Sequence, residues 1–359
     1  MIAVAILIGV YVHSPKFGNP PEGVRLERIQ KSPNYENGQF HNFYEFETGA
    51  PVGAVGSRRK VLGVIYKFIC KLFANEDNYT IPSAKTDLIN LDRNEDVLIW
   101  FGHSSYFIQI EGKRIAVDPV LSNVSSPIPF FPGAFRGTNI YAPTEIPELD
   151  YLIITHDHWD HLDYETVTKL KAKQVICPLG VGAHFERWGF DPSTLLEMDW
   201  YNEVNLPDGF RIVCCPTHHF SGRGFARNLS LWGAFLLTSP SGFKIYIGGD
   251  GGYCPLFEAI GNQLGPIDLA LLENGQYNKD WNHIHMHPME TVMAAEDLRA
   301  KAVIPVHNSK FSLSTHSWNE PLNEISRLSK EKKMRLLTPM IGQKVKLKDT
   351  TQTFATWWH

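Results

Sequence analysis

Cysteine is scarce in this sequence, and the few cysteines form no recognisable pattern. The 359 residues contain five of them, at positions 70, 177, 214, 215 and 254. Their number is odd, and no two of them have the Cys-x-x-Cys spacing that is typical of thiolate zinc sites and redox motifs. The sequence therefore indicates neither a disulfide framework nor a zinc ribbon, and we expect the cysteines to be buried apolar residues.

Long hydrophobic runs are also lacking. The apolar run at residues 1–12 is shorter than the ~18 residues that a membrane-spanning helix needs. No basic residues precede its apolar core, and no small-residue cleavage site follows it. Three interpretations remain open for this segment, namely a short membrane anchor, a signal peptide or a buried first strand.

Neither sign of charge dominates the composition. Lysine and arginine number 34, and aspartate and glutamate number 38, which gives a formal net charge of −4. Together with 43% hydrophobic residues, this balance excludes a collagen-like, coiled-coil or disordered chain. The lack of a basic excess argues against a nucleic-acid partner. The length allows either two domains or one large α/β unit with an N-terminal elaboration.

The chain divides into two regions of different character. Residues 1–92 contain the apolar run, a stretch over 13–60 that is rich in proline, glycine and asparagine and predicts an extended surface segment, and a basic amphipathic pattern over 60–73. That pattern predicts a helix packed either on the core or on a membrane surface. Residues 93–359 alternate β-rich and helical patterns, which predicts an α/β (α+β) domain of stacked sheets covered by helices.

Within residues 93–359 the individual elements can be predicted from periodicity and turn signals. We predict strands over 97–101, 106–110, 114–118, 151–155, 174–177, 209–215, 231–238, 243–247, 268–273 and 302–306. We predict helices over 164–171, over a segment that ends at Trp188 before Gly189, and over 255–263 and 288–300.

Histidine is unusually concentrated. Twelve of the fifteen histidines lie within positions 103–316. The apolar run 151–155 leads directly into His-Asp-His-Trp-Asp-His at 156–161, an H-x-H-x-D-H motif. Four ligand-type residues within six positions at the end of a strand predict a metal site, because imidazole and carboxylate suit zinc, iron and manganese.

The spacing of the motif is suited to two metal ions. His156 and His158 can converge on one ion, and Asp160 and His161 can converge on a second ion about 3.5–4 Å away. Further ligand-type residues each follow an apolar run, at His219, Asp250 and His307. Glycines flank Asp250 on both sides, which predicts a close approach of the backbone there. Such residues at several strand ends predict a site at one edge of a sheet.

These motifs resemble the metallo-β-lactamase superfamily, and within it the branch of N-acylphosphatidylethanolamine-hydrolysing phospholipase D, in particular its bacterial members. The resemblance is carried by residues 101–105, 117–119, 155–163, 249–255, 257–268 and 285–288, and by the early stretch 32–42. It covers most of the chain. It implies an αββα four-layer sandwich over residues 93–359.

The resemblance also implies the ligand sets. One ion would be held by His156, His158 and His219, with His219 rather than its neighbour His218 as the ligand. The other ion would be held by Asp160, His161 and His307. Asp250 would bridge the two ions, and Asp160 and Asp250 would therefore also take part in catalysis.

Other residues are expected around the ligands. Asp118 is expected either to hydrogen-bond a ligand imidazole or to begin the turn before a proline, and His103 to lie beside a ligand. By resemblance, His285 would act as an acid or would orient the substrate. The sequence departs from the phospholipase pattern at Glu273 and Asn274, which alters the polarity expected for the pocket.

The functional prediction is a dinuclear metal hydrolase, with zinc the first choice and iron or manganese as alternatives. Metal ions lower the pKa of bound water toward about 7, and a bridging hydroxide would attack the substrate. We predict a phosphodiesterase acting on an N-acyl phosphatidylethanolamine-like phospholipid, with residues 125–135 forming either an acyl-chain wall or a surface loop. The alternatives are a lactonase or other carbonyl hydrolase, and a noncatalytic metal-binding, membrane-associated protein. We expect a bacterial protein that is membrane-associated through its N-terminal segment, or otherwise cytoplasmic; its oligomeric state is not predicted.

Overall fold

A seven-stranded sheet forms one half of the domain. The computed structural model describes residues 9–44, 79–128, 131–224, 226–281 and 283–359. The strand order is β15 (Lys344–Lys346), β3 (Val97–Trp100), β4 (Tyr106–Ile110), β5 (Lys113–Val117), β6 (Leu149–Ile153), β7 (Ala172–Pro178) and β8 (Leu195–Met198). The pairs from β15 to β5 are antiparallel, and the pairs from β5 to β8 are parallel.

A six-stranded sheet forms the other half. Its order is β14 (Val303–Val306), β13 (Leu269–Glu273), β12 (Lys244–Ile247), β11 (Ala234–Thr238), β10 (Arg211–Cys215) and β9 (Glu203–Asn205). The pairs from β9 to β12 are antiparallel, and β12, β13 and β14 are parallel. A short hairpin, β1 (Tyr35–Glu36) and β2 (Gln39–Phe40), precedes both sheets.

The described helices are short. The α-helices are α1 (Gly23–Ile29), α2 (Tyr164–Val167), α3 (Gly182–Arg187), α4 (Leu256–Leu264), α5 (Pro288–Asp297) and α6 (Glu320–Glu331). Single 3₁₀ turns lie at Pro15–Phe17, Pro143–Glu145, Pro192–Thr194 and Lys279–Trp281. Among the residues described here, no helix combines the length and the apolar character that crossing a bilayer would require.

Alternation along the strands produces four layers. In β4, Ile108 packs between the two sheets, whereas its neighbour Phe107 packs on the outer face of the first sheet. In β13, Leu271 likewise lies between the sheets, and Leu272 packs outward with α4 and α5. Because side chains of a strand alternate between its two faces, each sheet buries one face on the other sheet and one face under helices. The predicted αββα sandwich is therefore confirmed.

The predicted elements of residues 93–359 are mostly present, with different ends. The helix predicted over 164–171 ends at Val167 as a single turn, and that predicted over 288–300 ends at Asp297, because Arg299 adopts a positive φ of 53°. The strand predicted over 231–238 begins only at Ala234. Strands β8 and β9 were not predicted: they are edge strands with partly exposed side chains, β8 shows no alternation, and β9 is only three residues long.

The N-terminal arm (residues 9–44) packs against the sandwich. The sequence predicted only an extended segment here, but the arm contains α1 and the β1–β2 hairpin. Ile29 and Phe40 are fully buried in the cluster between the two sheets, and Arg25 forms an ion pair of 2.8 Å with Glu197. The amphipathic helix predicted over 60–73 and most of the apolar run lie outside the described residues. The four described cysteines are free and buried, as predicted.

Candidate metal centre

The ligand-type residues follow strands whose carboxyl ends meet at one edge of the sandwich. His156 lies just beyond β6, Asp250 beyond β12 and His307 directly after β14. Gly249 has a positive φ of 60°, and a Cβ on it would lie 2.9 Å from that of Thr155. The predicted close approach of the backbone beside Asp250 is confirmed, and glycine is required for it.

Three imidazoles form a first cluster (His156, His158 and His219). Nδ1 of His158 lies 2.9 Å from Nε2 of His156 and 3.3 Å from Nε2 of His219. Oδ2 of Asp250 lies 3.8 Å from Nε2 of both His156 and His219. A tetrahedral zinc site with Zn–N bonds of about 2.0–2.1 Å has edges of about 3.3 Å. These separations are close to those of ligand atoms around one such ion.

A second cluster (Asp160, His161 and His307) adjoins the first. Nε2 of His161 lies 3.6 Å from Oδ2 of Asp160 and 3.1 Å from Oδ2 of Asp250. Oδ1 of Asp250 lies 3.2 Å from Nδ1 of His307. Asp250 therefore contacts both clusters, Oδ2 lying near residues of each and Oδ1 near His307, and all seven residues predicted as ligands lie together.

Hydrogen bonds on the far side of the rings fix which nitrogen faces the clusters. Nδ1 of His219 donates to the carbonyl of Ile284 at 3.2 Å, and Nδ1 of His161 donates to Oδ2 of Asp118 at 2.8 Å. In both residues Nε2 is then the nitrogen left with a lone pair for a cation. In His158, by contrast, Nδ1 is the nitrogen that faces the other rings of the first cluster.

The Asp118 carboxylate, which contacts the His161 ring, is itself fixed by further hydrogen bonds. Besides His161, its carboxylate accepts hydrogen bonds from the amide of Thr155 at 2.8 Å and from the hydroxyl of Thr155 at 2.6 Å. The residue has a φ of 40°, a conformation that is costly for a non-glycine residue and is often retained at functional sites. Asp118 thus joins the end of β5 to the loop that carries the motif.

The environment keeps several rings neutral, which is the form that binds metal. Burial lowers the pKa of His158 to about 4, against the opposing charges of Asp160 and Asp157. Burial and the neighbouring histidines lower the pKa of His219 and His307 well below their ordinary value.

His161 differs from the other rings. Burial opposes its protonation, but the carboxylates of Asp250, Asp160 and Asp118 raise its pKa well above the ordinary value. Burial raises the pKa of Asp250. Three buried carboxylates around one imidazole are a concentration of negative charge that divalent cations would neutralise.

His103 lies beside the second cluster, as the sequence predicted. Its Nε2 donates to Oδ2 of Asp160 at 2.8 Å, and its ring centroid is 4.1 Å from that of His307. The hydroxyl of Ser104 lies 2.9 Å from Nδ1 of His307, the same nitrogen that lies 3.2 Å from Oδ1 of Asp250. His103 and His307 both have positive φ, at 53° and 65°.

His285 lies between the two clusters and is more exposed than most of their rings. Its ring centroid is 5.4 Å from that of His219 and 5.0 Å from that of His307. Its side chain is 16% exposed, compared with 1% for His307. Nδ1 donates to Oε2 of Glu273 at 2.8 Å. Burial raises the pKa of Glu273 well above its ordinary value, and amide donors including that of Met286 oppose this shift.

His218 has a different environment from its neighbour. Nδ1 donates to the carbonyl of His283 at 2.7 Å, and Nε2 lies 3.1 Å from the carbonyl of Tyr44. Both ring nitrogens thus face backbone carbonyls, which accounts for the presence of His219 rather than His218 in the first cluster.

A hydrogen-bond network around Asp157, which the sequence did not predict, supports the motif loop. Asp157 accepts hydrogen bonds from Nε2 of His184 at 3.1 Å, the hydroxyl of Ser230 at 2.7 Å and the amide of Gly222 at 2.7 Å. Arg223 donates to the Asp157 carbonyl at 2.9 Å. The motif contained Asp157, but its partners are 27 to 73 positions away in the chain, so no local pattern pointed to them.

A cavity of about 650 Å³ lies on the other side of this loop. Its apolar lining includes Tyr11, Phe17, Pro127, Ile128, Trp159 and Leu229. The guanidinium of Arg223 stacks over the Trp159 ring at 4.1 Å. Pro127 and Ile128 belong to the loop for which the sequence left open an acyl-chain wall or a surface role. Those two residues contribute to a cavity wall, although Ile128 is itself 58% exposed.

The donor set fits metal ions. Within the described ranges, Oδ1 of Asp250 and Nε2 of His307 are buried without a hydrogen-bond partner. Buried polar atoms are rarely left unsatisfied in native proteins. Both atoms belong to the clusters, where a cation would satisfy them. Nitrogen and carboxylate ligands suit zinc, iron or manganese, so the geometry fits a metal centre without selecting the element.

Comparisons with known proteins agree with this fold and site. The beta-lactamase superfamily domain matches residues 113–308. An uncharacterized protein of Mycobacterium tuberculosis is 34% identical over 88% of this chain and 85% of its own length. N-acyl-phosphatidylethanolamine-hydrolyzing phospholipase D 1 of Caenorhabditis elegans is 28% identical over 64% of this chain and 68% of its own. Outer membrane protein RomA of Klebsiella pneumoniae is 55% identical over 29% of this chain and 78% of its own.

Solved structures share the fold. Igni18, a metallo hydrolase from Ignicoccus hospitalis, superposes with a TM-score of 0.51 at 21% identity, covering 70% of this chain and 98% of its own. CmlA, a diiron β-hydroxylase from Streptomyces venezuelae, superposes with a TM-score of 0.55 at 17% identity, covering 70% of this chain and 54% of its own. With the family match over residues 113–308, these findings show that the chain belongs to the metallo-β-lactamase superfamily of metal-dependent hydrolases.

Proposed function

We propose that the protein is a dinuclear metal phosphodiesterase that cleaves an N-acyl phosphatidylethanolamine-like phospholipid. The observation that carries the proposal is the convergence of the first and second clusters on Asp250, which contacts both. Two adjacent cation sites sharing a carboxylate suit the in-line displacement of a phosphodiester, because both the attacking and the leaving oxygen need stabilisation.

Each cluster would hold one ion, and Asp250 would contact both. His156, His158 and His219 would bind the first ion, and Asp160, His161 and His307 the second. Bound divalent ions would supply an activated water molecule and offset the charge that develops on the phosphoryl group. Zinc is the element that we propose, because it is the usual ion of histidine-rich sites and the first cluster supplies three imidazoles.

A side chain outside the two ligand sets would supply the proton that the leaving group needs. As hydroxide adds to phosphorus, the bond from phosphorus to the alcohol oxygen breaks, and that oxygen needs a proton. His285 lies between the clusters on their more exposed side, where Nε2 can take up a proton from solvent. We assign the resulting imidazolium, with Nδ1–H held by Glu273, as the donor.

A lipid substrate is supported by the surroundings of the clusters. The 650 Å³ cavity on the other side of the motif loop is lined by Asp157 and Trp159 of the motif, and it has the apolar and aromatic lining that an acyl chain would need. A phospholipase D among the relatives supports the same substrate class. We propose that the protein works at a membrane surface, in line with the outer membrane protein among its relatives.

The test combines metal analysis with two phosphodiesters. We expect purified protein to contain about two divalent ions per chain and to hydrolyse bis-p-nitrophenyl phosphate and N-acyl phosphatidylethanolamine. Asp160→Asn and His156→Ala should lose activity and metal while keeping the fold. Asp191→Asn, a change at an exposed helix cap, is the matched control and should behave as the wild type.

Three outcomes would contradict the proposal. Full activity in a metal-free variant would exclude metal catalysis. Turnover of lactones but of neither phosphodiester would indicate a carbonyl hydrolase. Metal binding without turnover of any substrate would indicate a noncatalytic protein. Flotation of the full chain with phospholipid vesicles tests the membrane part separately, and a protein that stays at the bottom of the gradient would contradict it.

A further inference from the structure

Glu273 is a buried carboxylate at the metal-binding edge that none of the proposed steps uses. It is the last residue of β13, and the residue is only 1% exposed. Its neighbours in β13 are apolar, and the sequence marked it only as a departure from the phospholipase pattern. A buried carboxylate is costly unless its oxygens are hydrogen-bonded. Its partners therefore indicate what it does.

Those partners connect two loops of the site. Oε1 accepts a hydrogen bond from the amide of Met286 at 2.5 Å, and the amide of Gly251, next to Asp250, also donates to this carboxylate. Oε2 accepts from Nδ1 of His285 at 2.8 Å. Glu273 thus joins the glycine loop that carries Asp250 to the loop that carries His285.

The contact with His285 determines how that ring is presented. Because Nδ1–H is directed at Glu273, Nε2 is the nitrogen that faces a substrate, and in the imidazolium form it carries the proton that can be transferred. Stacking against His307 at 5.0 Å and an interplanar angle of 20° restricts rotation of the same ring. The ring is therefore held from two sides while it remains partly exposed.

A role for Glu273 as an additional metal ligand agrees less well with these contacts. It does lie close to Asp250, His285 and His307, with potential ligand atoms of all four residues within 4.8 Å of one another. However, both of its oxygens already accept hydrogen bonds from N–H groups. Binding a cation through either oxygen would require one of these bonds to be given up.

We propose that Glu273 is a positioning residue that fixes the tautomer and orientation of His285, so that Nε2 of His285 is directed at the substrate. The proposal rests on the proposed function for the identity of the reaction. It assigns to Glu273 no contact with the substrate. An amide in its place would offer N–H as well as oxygen and would no longer impose one tautomer.

The first test reads the tautomer directly. In protein labelled with ¹⁵N-histidine, the signals of His285 are assigned from their loss in His285→Gln. We expect wild type to show the proton of this ring on Nδ1 in the contact with Glu273, and Glu273→Gln to shift those signals. Glu258→Gln, the same change at an exposed position on α4, is the matched control. Unchanged His285 signals in folded Glu273→Gln would overturn the proposal.

The second test compares leaving groups. p-Nitrophenolate leaves without protonation, whereas the alcohol of N-acyl phosphatidylethanolamine needs a proton. We expect Glu273→Gln to lower kcat by about 10- to 100-fold on the lipid and by less than threefold on bis-p-nitrophenyl phosphate, with metal content unchanged. In the His285→Gln background, Glu273→Gln should add no further loss. Equal losses on both substrates would mean a merely structural role and would overturn the proposal.

The two tests separate the two claims. A shifted tautomer in a protein that hydrolyses neither phosphodiester would support the role of Glu273 and contradict the proposed function. If Glu273→Gln does not fold, Glu273→Asp withdraws the carboxylate while keeping its charge, and the same signals and the same difference between substrates are measured. An aspartate variant identical to wild type in both measurements would overturn the proposal.

Discussion

Asp118→Asn tests whether the site depends on residues that never touch a metal ion. The carboxylate of Asp118 accepts three hydrogen bonds, one from His161 at 2.8 Å and two from Thr155 at 2.8 and 2.6 Å. An asparagine has the same shape but only one oxygen, and its NH₂ group would face an N–H or O–H donor. At least one hydrogen bond to a charged group is therefore lost.

The size of the effect can be worked out in two ways. A hydrogen bond to a charged group contributes about 1.5–3 kcal/mol. Partners that orient a ligand histidine typically change metal affinity by about 10- to 100-fold, which is about 1.4–2.8 kcal/mol. The two ranges of free energy agree. The lost hydrogen bond affects His161, whose Nε2 must be held towards Asp250. We therefore expect metal binding to weaken by about 10- to 100-fold.

Competition with a chelator of known affinity measures this change. The protein is equilibrated with zinc and a chromophoric chelator, and the free chelator is followed by absorbance, alongside thermal unfolding of the metal-free forms. Asp191→Asn, at an exposed helix cap, is the control. Wild-type affinity in folded Asp118→Asn would refute the reasoning, since Asp118 would then not position the ring.

Three further substitutions test residues around the proposed metal ligands. Gly249→Ala should lower the free energy of unfolding by about 1–3 kcal/mol in denaturant titrations, because φ is 60° and the new Cβ would meet Thr155; wild-type stability would contradict this. Arg223→Lys should weaken metal binding in the chelator assay, because lysine cannot make the paired contacts of the guanidinium or stack on Trp159 in the same way; unchanged affinity would show that the motif loop needs no such support. Burial lowers the pKa of Lys310 to about 7, so between pH 7 and 9 the unfolded chain binds more protons than the folded one. The stability of wild type relative to Lys310→Met should rise there by up to about 1.4 kcal/mol per pH unit, and parallel curves in urea titrations would contradict it.

The sequence predicted those parts of the site that local patterns encode. The strand before His156 is apolar and the residues after it are polar, so both the strand and its functional end were visible. Asp250 and His307, which lie in the same clusters, were predicted in the same way. Polar side chains directly after buried strands are seldom needed for the fold itself. These positions therefore indicated a functional site.

Partners that meet only through the tertiary fold were not predictable. His184 contacts Asp157 across 27 positions, and Asn42 contacts His219 across 177. Nothing in the segment around His184 distinguishes it from an ordinary surface residue, and the resemblance of the stretch 32–42 did not indicate a partner for Asn42. The edge strands β8 and β9 were missed for other reasons: β8 is partly exposed and shows no alternation, and β9 alternates but is only three residues long.

The N-terminal arm bears on how the superfamily domain acquires a particular substrate. The family match covers residues 113–308, whereas Asn42 lies outside it and fixes the backbone of His219 through two hydrogen bonds of 2.8 and 3.1 Å. The carbonyl of Lys16 accepts from Arg223 at 2.9 Å, and Arg223 in turn holds the motif loop. The arm also supplies Tyr11 to the apolar cavity. The proposed ligands thus belong to the shared domain, but parts of their support and of the neighbouring cavity do not. Differences in substrate between this chain and other members should therefore be sought in the arm as much as in the metal ligands.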